Sequence, residues 1–372
     1  MSNFVVSARK YRPQTFESVV GQGSVTVTLK NSIKNKQMAQ AFLFFGSRGV
    51  GKTTTARILA KTINCFNLSA DIEPCNECES CKSFNEGHSF NILELDAASN
   101  NSVDDIRNLI DQVRIAPQVG NHKIFIIDEV HMLSTAAFNA FLKTLEEPPA
   151  HAVFILATTE KHKILPTILS RCQIFDFHRI SIADIVKQLQ SIATKESIQA
   201  DEKALHIIAQ KADGAMRDAL SIFDQIVSFS NRNVTYEAVL ENLNVLDYDY
   251  YFKVVDAAIS GNIPSNLLTY NDILSKGFDG GQFLIGLAEH LRNLLVCKDD
   301  KTLSLLEVPN DIKAKYQAQS ANAEQEFILV GLDLLRDAEI QFKSAKNKRL
   351  IVEISLMKFT SIVSTLKKQA VS

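Results

Sequence analysis

Eight residues, Gly46-Ser47-Arg48-Gly49-Val50-Gly51-Lys52-Thr53, constrain the local fold more than any other stretch of this chain. They read G-x-x-x-x-G-K-T and stand between the apolar run 41–45 and a helical pattern over 54–64. Strand, glycine loop and helix in that order form a cradle for phosphate. The glycines let backbone N–H groups turn inward, Lys52 can reach the β and γ oxygens of a triphosphate, and the Thr53 hydroxyl can hold Mg²⁺. Gly46, Ser47, Arg48, Gly49, Val50, Gly51, Lys52, Thr53 and the adjoining Thr54 are therefore the first candidate binding residues. The competing reading is an ordinary glycine-rich turn, which the flanking strand and helix patterns disfavour.

A chain of 372 residues is long enough for two or three domains. Between 42 and 177, short apolar runs alternate with helical patterns, as in an α/β domain with a mainly parallel sheet. Strands are expected over 41–45, 91–96, 123–128, 153–158 and 173–177. Ser102 to Asp105 has the spacing of a capped helix start, followed by Ile106, Leu109, Ile110 and Val113 on one face. A second helix carries Phe138, Phe141, Leu142 and Leu145 and stops before Pro148. Strand signals fade after Phe177, which puts one boundary near Arg179. Ser181 then caps a helix, and Asp213-Gly214 turns into another over 216–228. Beyond a second boundary near Asn244, longer helices are expected over 247–260, 265–275, 281–297, 324–342 and 348–367. The stripe Phe327, Val330, Leu334 and Leu335 is read as bundle core, and 298–302 as an exposed connection.

The apolar strand ending in Asp128-Glu129 supplies what a phosphate loop lacks. Asp128 can bind Mg²⁺ through water, and Glu129 can polarise the water that attacks a γ-phosphate. An acid pair merely closing a strand is the alternative, weakened by the loop upstream. Thr158 and Thr159 end the next apolar strand, where a hydroxyl could orient the attacking water; β-branched residues are also ordinary strand termini. Arg171, in Ser170-Arg171-Cys172, could reach a phosphate across a subunit boundary or could make a local salt bridge. Arg217 poses the same choice from the helical segment.

Four of the six cysteines, Cys65, Cys75, Cys78 and Cys81, fall within seventeen residues as C-x9-C-x2-C-x2-C. Such spacing suits tetrahedral Zn²⁺ better than free surface thiols, and four sulfur ligands leave no position open for substrate, so the metal would be structural. Cys172 and Cys297 stand apart and read as packed side chains. With 46% apolar residues, a net charge of -2 and no apolar run of membrane-spanning length, membrane partners are not expected. Residues 1–11 lack a secretory apolar core, so a cytoplasmic location is expected. Nucleic acid, if bound, must meet a local basic face.

Taken together, the motifs resemble those of the γ/τ ATPase subunits of bacterial DNA polymerase III clamp loaders, a family of the AAA+ class. The residues that carry the resemblance run from Ala8-Arg9-Lys10-Tyr11-Arg12-Pro13-Gln14-Thr15-Phe16 and Val20-Gly21-Gln22 through the phosphate loop and the cysteines. They continue in Glu94-Leu95-Asp96-Ala97-Ala98-Ser99, Ile127-Asp128-Glu129-Val130-His131-Met132-Leu133 and the stretch from Phe138 to Pro149. Leu156-Ala157-Thr158-Thr159, Ile168-Leu169-Ser170-Arg171-Cys172 and Arg217-Asp218-Ala219-Leu220-Ser221 complete the match. It is strong over about 4–225 and weaker beyond.

The resemblance implies an α/β P-loop AAA+ domain over 1–178 with a zinc insert at 65–81, a small helical lid domain over 179–243 and an all-α collar domain over 244–372. It implies that Arg171 acts in trans on a neighbour's ATP, that Arg217 senses the γ-phosphate, and that Arg9, Tyr11, Arg12, Pro13, Val20 and Gly21 line the adenine pocket. The implied cofactors are ATP, Mg²⁺ on Thr53 and Asp128, and structural Zn²⁺. The implied partners are other clamp-loader subunits in a pentameric ring, the sliding clamp and primer-template DNA held through its phosphates; a C-terminal tail, if present, would reach polymerase or helicase. The setting is the bacterial cytoplasm at the nucleoid. Alternatives are a clamp-loader scaffold that hydrolyses nothing, and another AAA+ DNA motor such as a branch-migration ATPase. No nucleotidyltransferase site is expected.

Overall fold

A computed structural model describes residues 5–117 and 120–369. The chain divides into two compact units after Ser228.

The first unit begins with the short α1 (Ser7–Lys10) and α2 (Gly23–Lys34), then alternates strand and helix. In order come β1 (Ala41–Phe45), α3 (Lys52–Ile63), α4 (Glu79–Asn85), β2 (Ile92–Asp96), α5 (Val103–Val113), β3 (Lys123–Asp128), α6 (Thr135–Glu146), β4 (Ala152–Thr158), α7 (Pro166–Leu169) and β5 (Gln173–Asp176). Three helices follow: α8 (Ile182–Lys195), α9 (Glu202–Lys211) and α10 (Met216–Phe229). The strands form one parallel sheet in the order β2-β3-β4-β1-β5. All five expected strands are present, within a residue of their expected bounds.

Alternation along β1 explains the layering. Phe42 and Phe44 face one side with Ile124, Ile126, Ile155, α3 and Phe16, whereas Leu43 faces the other with Phe125, Ile127, Phe154 and the apolar stripes of α5 and α6. A sheet covered on both faces needs apolar residues at every strand position, which is why β1, β3 and β4 read as unbroken apolar runs. Helix starts follow their caps. The Ser102 hydroxyl accepts from Asp105 N–H while the Asp105 carboxylate accepts from Ser102 N–H, a capping box, and Ser134 and Ser181 cap α6 and α8 through their hydroxyls.

In the second unit helices pack on helices: α11 (Tyr236–Leu243), α12 (Tyr248–Ile259), α13 (Ile263–Ser275), α14 (Gly280–Val296), α15 (Asn310–Asn322), α16 (Gln325–Ser344) and α17 (Lys348–Gln369). Its core holds Phe252, Tyr270, Phe283, Leu287, Leu291, Tyr316, Phe327 and Phe359. Three local expectations change here. Val330 lies on the exposed side of α16, and the buried seam runs instead through Phe327, Ile328, Gly331, Leu335, Ala338 and Phe342. The connection expected at 298–302 leads into a 3-10 helix over Asp300–Leu305, capped by Asp299. α15 was not expected, because its buried positions include Gln319 and Ser320, which a search for apolar periodicity passes over. Among the described residues no helix is long and apolar enough to cross a membrane. Cys172 and Cys297 pack against the two cores as expected of lone thiols.

Candidate active site

The C-terminal ends of β1, β3 and β4 lie side by side and carry the phosphate loop, Asp128, Glu129, Thr158 and Thr159, whereas the candidates Arg171 and Arg217 come from just after α7 and from α10. Phe45 pairs in register with Thr158, and Asp96 with Asp128. After Phe45 the chain turns through Gly46, where a Cβ would sit 2.4 Å from the Phe177 carbonyl oxygen. No larger residue fits between loop and β5. Gly51, at a φ of 104°, caps α3 in the left-handed region and turns the loop into the helix.

Lys52 is buried and donates to the carbonyls of Gly46 and Ser47, each at 2.8 Å. Burial lowers its pKa, opposed by Glu129 and Asp128. The Thr53 hydroxyl donates to Asp128 Oδ2 at 2.7 Å, so the two expected magnesium ligands already touch. Glu129, with a left-handed φ of 47°, turns its carboxylate toward Thr159, whose N–H and hydroxyl donate to Oε2 at 3.3 and 3.2 Å. A non-glycine residue in that region costs about 1 kcal/mol, an observed strain at the residue expected to handle the attacking water.

Thr158 differs from its neighbour. It is fully buried, and its hydroxyl meets His131 Nδ1 at 3.0 Å rather than facing the cleft. The His131 ring also stands 3.4 Å from Glu129 and 3.1 Å from Glu160. His131 lies in the 3-10 turn just after the acidic strand end, and the sequence pattern alone attaches no role to it.

A cleft of about 730 Å³ opens above these groups. Arg48 to Thr54, Asp128 and Glu129 form its polar floor. Arg9, Tyr11, Arg12, Pro13, Val19 and Val20 form one wall, and Ile180, Met216, Arg217 and Leu220 another. Arg12 is tied to the floor through Thr54 Oγ1 at 3.2 Å, and burial lowers its pKa, with Arg57 acting in the same direction. The tip of the loop approaches α10 closely: a Cβ on Gly49 would lie 2.8 Å from Ala215 and 3.5 Å from Arg217 Cβ. Among the candidates, Gly21, Gly46, Ser47, Thr158, Thr159 and Arg171 do not line the cleft. Gly21 instead packs on Ile180, and Arg171 bonds Thr167 O, Ser170 Oγ and, at 2.9 Å, Glu146. The lining also includes residues outside the sequence candidates, among them Val19, Asp96, Ile180, Gln188 and Met216; of these Asp96, an acid closing a strand in register with Asp128, left a signal.

Cys65, Cys75, Cys78 and Cys81 converge as expected. Their sulfurs all lie within 4.8 Å of one another, against about 3.8 Å for four sulfurs each 2.3 Å from a tetrahedral ion. Burial pushes the Cys81 and Cys65 thiols up. At Cys75 burial acts the same way, but N–H groups of Glu77 and Cys78 and the neighbouring sulfurs outweigh it and bring the thiol down to about 6. Four crowded sulfurs cannot all ionise without a cation among them, and a dication supplies what the donor set lacks.

Comparison with known proteins matches the chain in three stretches. Residues 21–181 match the family model described as DNA polymerase III, delta subunit, and residues 184–232 match the clamp loader subunit ATPase lid domain. Residues 234–371 match domain III of the DNA polymerase III gamma and tau subunits. The DNA polymerase III subunit tau of Bacillus subtilis is 41% identical over 94% of this chain and 62% of its own length, and that of Escherichia coli is 39% identical over 84% and 48%. The chain thus spans between about half and two thirds of these longer relatives. Among solved structures, the Thermotoga maritima RuvB Holliday junction branch migration motor aligns with 67% of this chain and 79% of its own at a TM-score of 0.48 and 17% identity, a likeness that adds no argument. The DNA polymerase III subunit gamma of Buchnera aphidicola from Acyrthosiphon pisum, by contrast, is 35% identical over 97% of this chain and the whole of its own. The chain belongs to the DNA polymerase III gamma/tau subunit family.

Proposed function

We propose that the chain is an ATP-binding and ATP-hydrolysing motor of the DNA polymerase III clamp loader, which loads the sliding clamp onto primer-template DNA. The observation that carries this is the meeting, in one cleft of about 730 Å³, of the phosphate loop, the bonded pair Thr53–Asp128, the carboxylate of Glu129 and side chains such as Val19, Val20, Ile180 and Leu220 that could pack on a base. Lys52, now satisfied by loop carbonyls, would exchange them for β and γ oxygens of the triphosphate. Mg²⁺, held by Thr53 and through water by Asp128, would neutralise charge building on the phosphates. Glu129 would leave Thr159 to orient the attacking water, and Arg217, on the far wall, would report the γ-phosphate. Arg171 would reach a neighbouring subunit's nucleotide. Each site would then be complete only in a ring, and ATP between subunits would shape that ring to hold an open clamp and DNA phosphates.

The cysteine cluster would hold one structural Zn²⁺. The functional segments would be 1–178, 179–243 and 244–372, working in the cytoplasm at the nucleoid with other clamp-loader subunits, and with polymerase or helicase through any further C-terminal chain. No polymerising chemistry is assigned to these residues. The test is ATP turnover by the reconstituted ring with clamp and primed DNA. Lys52→Ala should cut turnover by roughly a hundredfold or more, and equal rates in variant and wild type would sink the motor reading.

A further inference from the structure

The cysteine cluster and the nucleotide cleft are joined by two buried charges that neither site uses. Glu73, two residues before Cys75, is 9% exposed and turns inward. Its Oε2 accepts from Phe16 N–H at 2.7 Å and its Oε1 from Glu17 N–H at 3.0 Å, while Lys30 of α2 pairs with Oε1 at 2.6 Å. Glu73 therefore fastens the turn at 15–18, whose Thr15 and Ser18 close on each other. That turn lies between Arg12 and Pro13 on one side and Val19 and Val20 on the other, four residues of one cleft wall.

Lys61 provides the second link. It lies on α3, the helix that starts at the phosphate loop, and is 2% exposed. Its Nζ donates to Gln14 Oε1 at 2.8 Å, to Asn85 Oδ1 at 3.2 Å and to Asn76 Oδ1. Asn76 stands between Cys75 and Cys78, and Asn85 ends α4, which begins after Cys78. Three elements that share no strand or helix thus meet on one ammonium group: α3, the cysteine loop and the segment leading to the cleft wall. A buried charge with every donor satisfied holds its partners in one arrangement, because releasing any of them leaves charge unpaired in a dry site.

We propose that the cysteine insert is a strut for the wall that meets the nucleoside part of the ligand, with Glu73 and Lys61 as its positioning residues, so that metal bound to the four sulfurs sets affinity for the nucleoside and not for the phosphates. This rests on the nucleotide reading of the cleft. Lys61 sits at the far end of α3, and the phosphate loop has anchors of its own, Gly46 N–H on the Thr158 carbonyl and Lys52 on the Gly46 and Ser47 carbonyls, so loosening the insert should act on the wall before the loop. Glu73→Gln keeps the side chain's shape but turns an N–H donor toward one of the two amides it now accepts from.

The experiment compares Mg·ATP with Mg·tripolyphosphate on the full chain by calorimetry, with metal content measured on the same samples and hydrogen exchange followed at Phe16 and Glu17. Glu73→Gln should keep its metal, weaken ATP roughly tenfold and leave tripolyphosphate unchanged; removing metal from wild type by chelation should do the same and speed exchange at both amides. Lys30→Met, which keeps the carboxylate but strips its cation, should shift ATP in the same direction by less and serves if Glu73→Gln does not fold. Unchanged ATP affinity in the variant, equal weakening of ATP and tripolyphosphate, or unaltered exchange after chelation would each overturn the strut. A wild-type chain that binds neither ligand would instead remove the nucleotide reading, and the exchange measurement would still decide whether the cluster holds the turn.

Discussion

Glu129 and His290 show how differently one ionisable side chain is used in the two units. Glu129 stands at a strand end with a strained backbone and two polar partners, Thr159 and His131, an arrangement consistent with the role proposed for it. His290 is sealed in the helical unit, where its Nε2 meets Gln319 Oε1 at 2.7 Å and its Nδ1 is buried without a partner. Gln319 passes the contact on to Asp256 and to the Phe252 carbonyl, and the rings of Tyr251, Phe252 and Tyr316 close the remaining sides. Burial brings the His290 pKa down from 6.5 to about 4. Above the ordinary histidine range both folded and unfolded forms are neutral and the residue costs nothing. As pH falls through 6.5 the unfolded chain takes up a proton that the folded chain refuses until about 4, so stability is lost across that window, by about 3 kcal/mol at its lower end. Thermal melts of wild type and His290→Phe at a series of pH values should therefore diverge in the variant's favour between those limits, whatever the variant's stability at neutral pH. Parallel curves would mean that His290 is not the group that titrates.

At the scale of elements, packing seams rest on the smallest residues. Gly331 lies midway along α16, where glycine costs a helix up to about 1 kcal/mol relative to alanine. Its reason is contact: a Cβ there would stand 2.7 Å from Phe359 Cε2 and 2.9 Å from Leu291 Cδ1, so α16 meets α14 and α17 through a missing side chain. Gly331→Val should lower stability by about 1–3 kcal/mol despite removing a helix-weakening residue, read as a drop in denaturation midpoint; an equal or raised midpoint would show that the seam can open without cost. The same site shows where sequence reading stops. The strands β1, β3 and β4 were legible because a doubly covered sheet writes an unbroken apolar run, and α5 because Ser102 and Asp105 mark its start. The phosphate loop and the cysteine spacing were legible because backbone conformation and metal geometry demand those residues at those distances. Seams made by Gly331 and Ala338, and the polar buried positions of α15, leave no apolar period to find. Neither did the cleft wall at Ile180 and Gln188, which depends on how α8 returns to the loop and not on any local pattern.

For the whole molecule, the position of Arg171 decides what a single chain can do. Its guanidinium is held by Glu146, Thr167 and Ser170, on the stretch that leads into β5, and it does not border the cleft of its own chain. In the proposed reading Lys52, Thr53, Asp128 and Glu129, with Arg48 and Arg217 also on the lining, hold a magnesium triphosphate within one chain, and an arginine supplied by a neighbour would add charge at the γ-phosphoryl oxygens from outside the cleft. If Arg171 serves a neighbour, its removal must separate two quantities that a local salt bridge would leave coupled. Arg171→Ala should leave Mg·ATP affinity of the isolated chain unchanged, since nothing in the cleft touches it. It should also leave any turnover of the isolated chain unchanged, while abolishing the stimulation expected of the proposed ring with clamp and primed DNA, a loss on the order of a thousandfold for a complete arginine finger. Mixing the variant with Lys52→Ala chains sharpens the distinction, because a site made from one chain's intact loop and another's intact arginine would recover activity that neither variant shows alone. A variant ring as active as wild type would return Arg171 to the plain role of tying α7 to Glu146, and would leave each chain's cleft to work by itself.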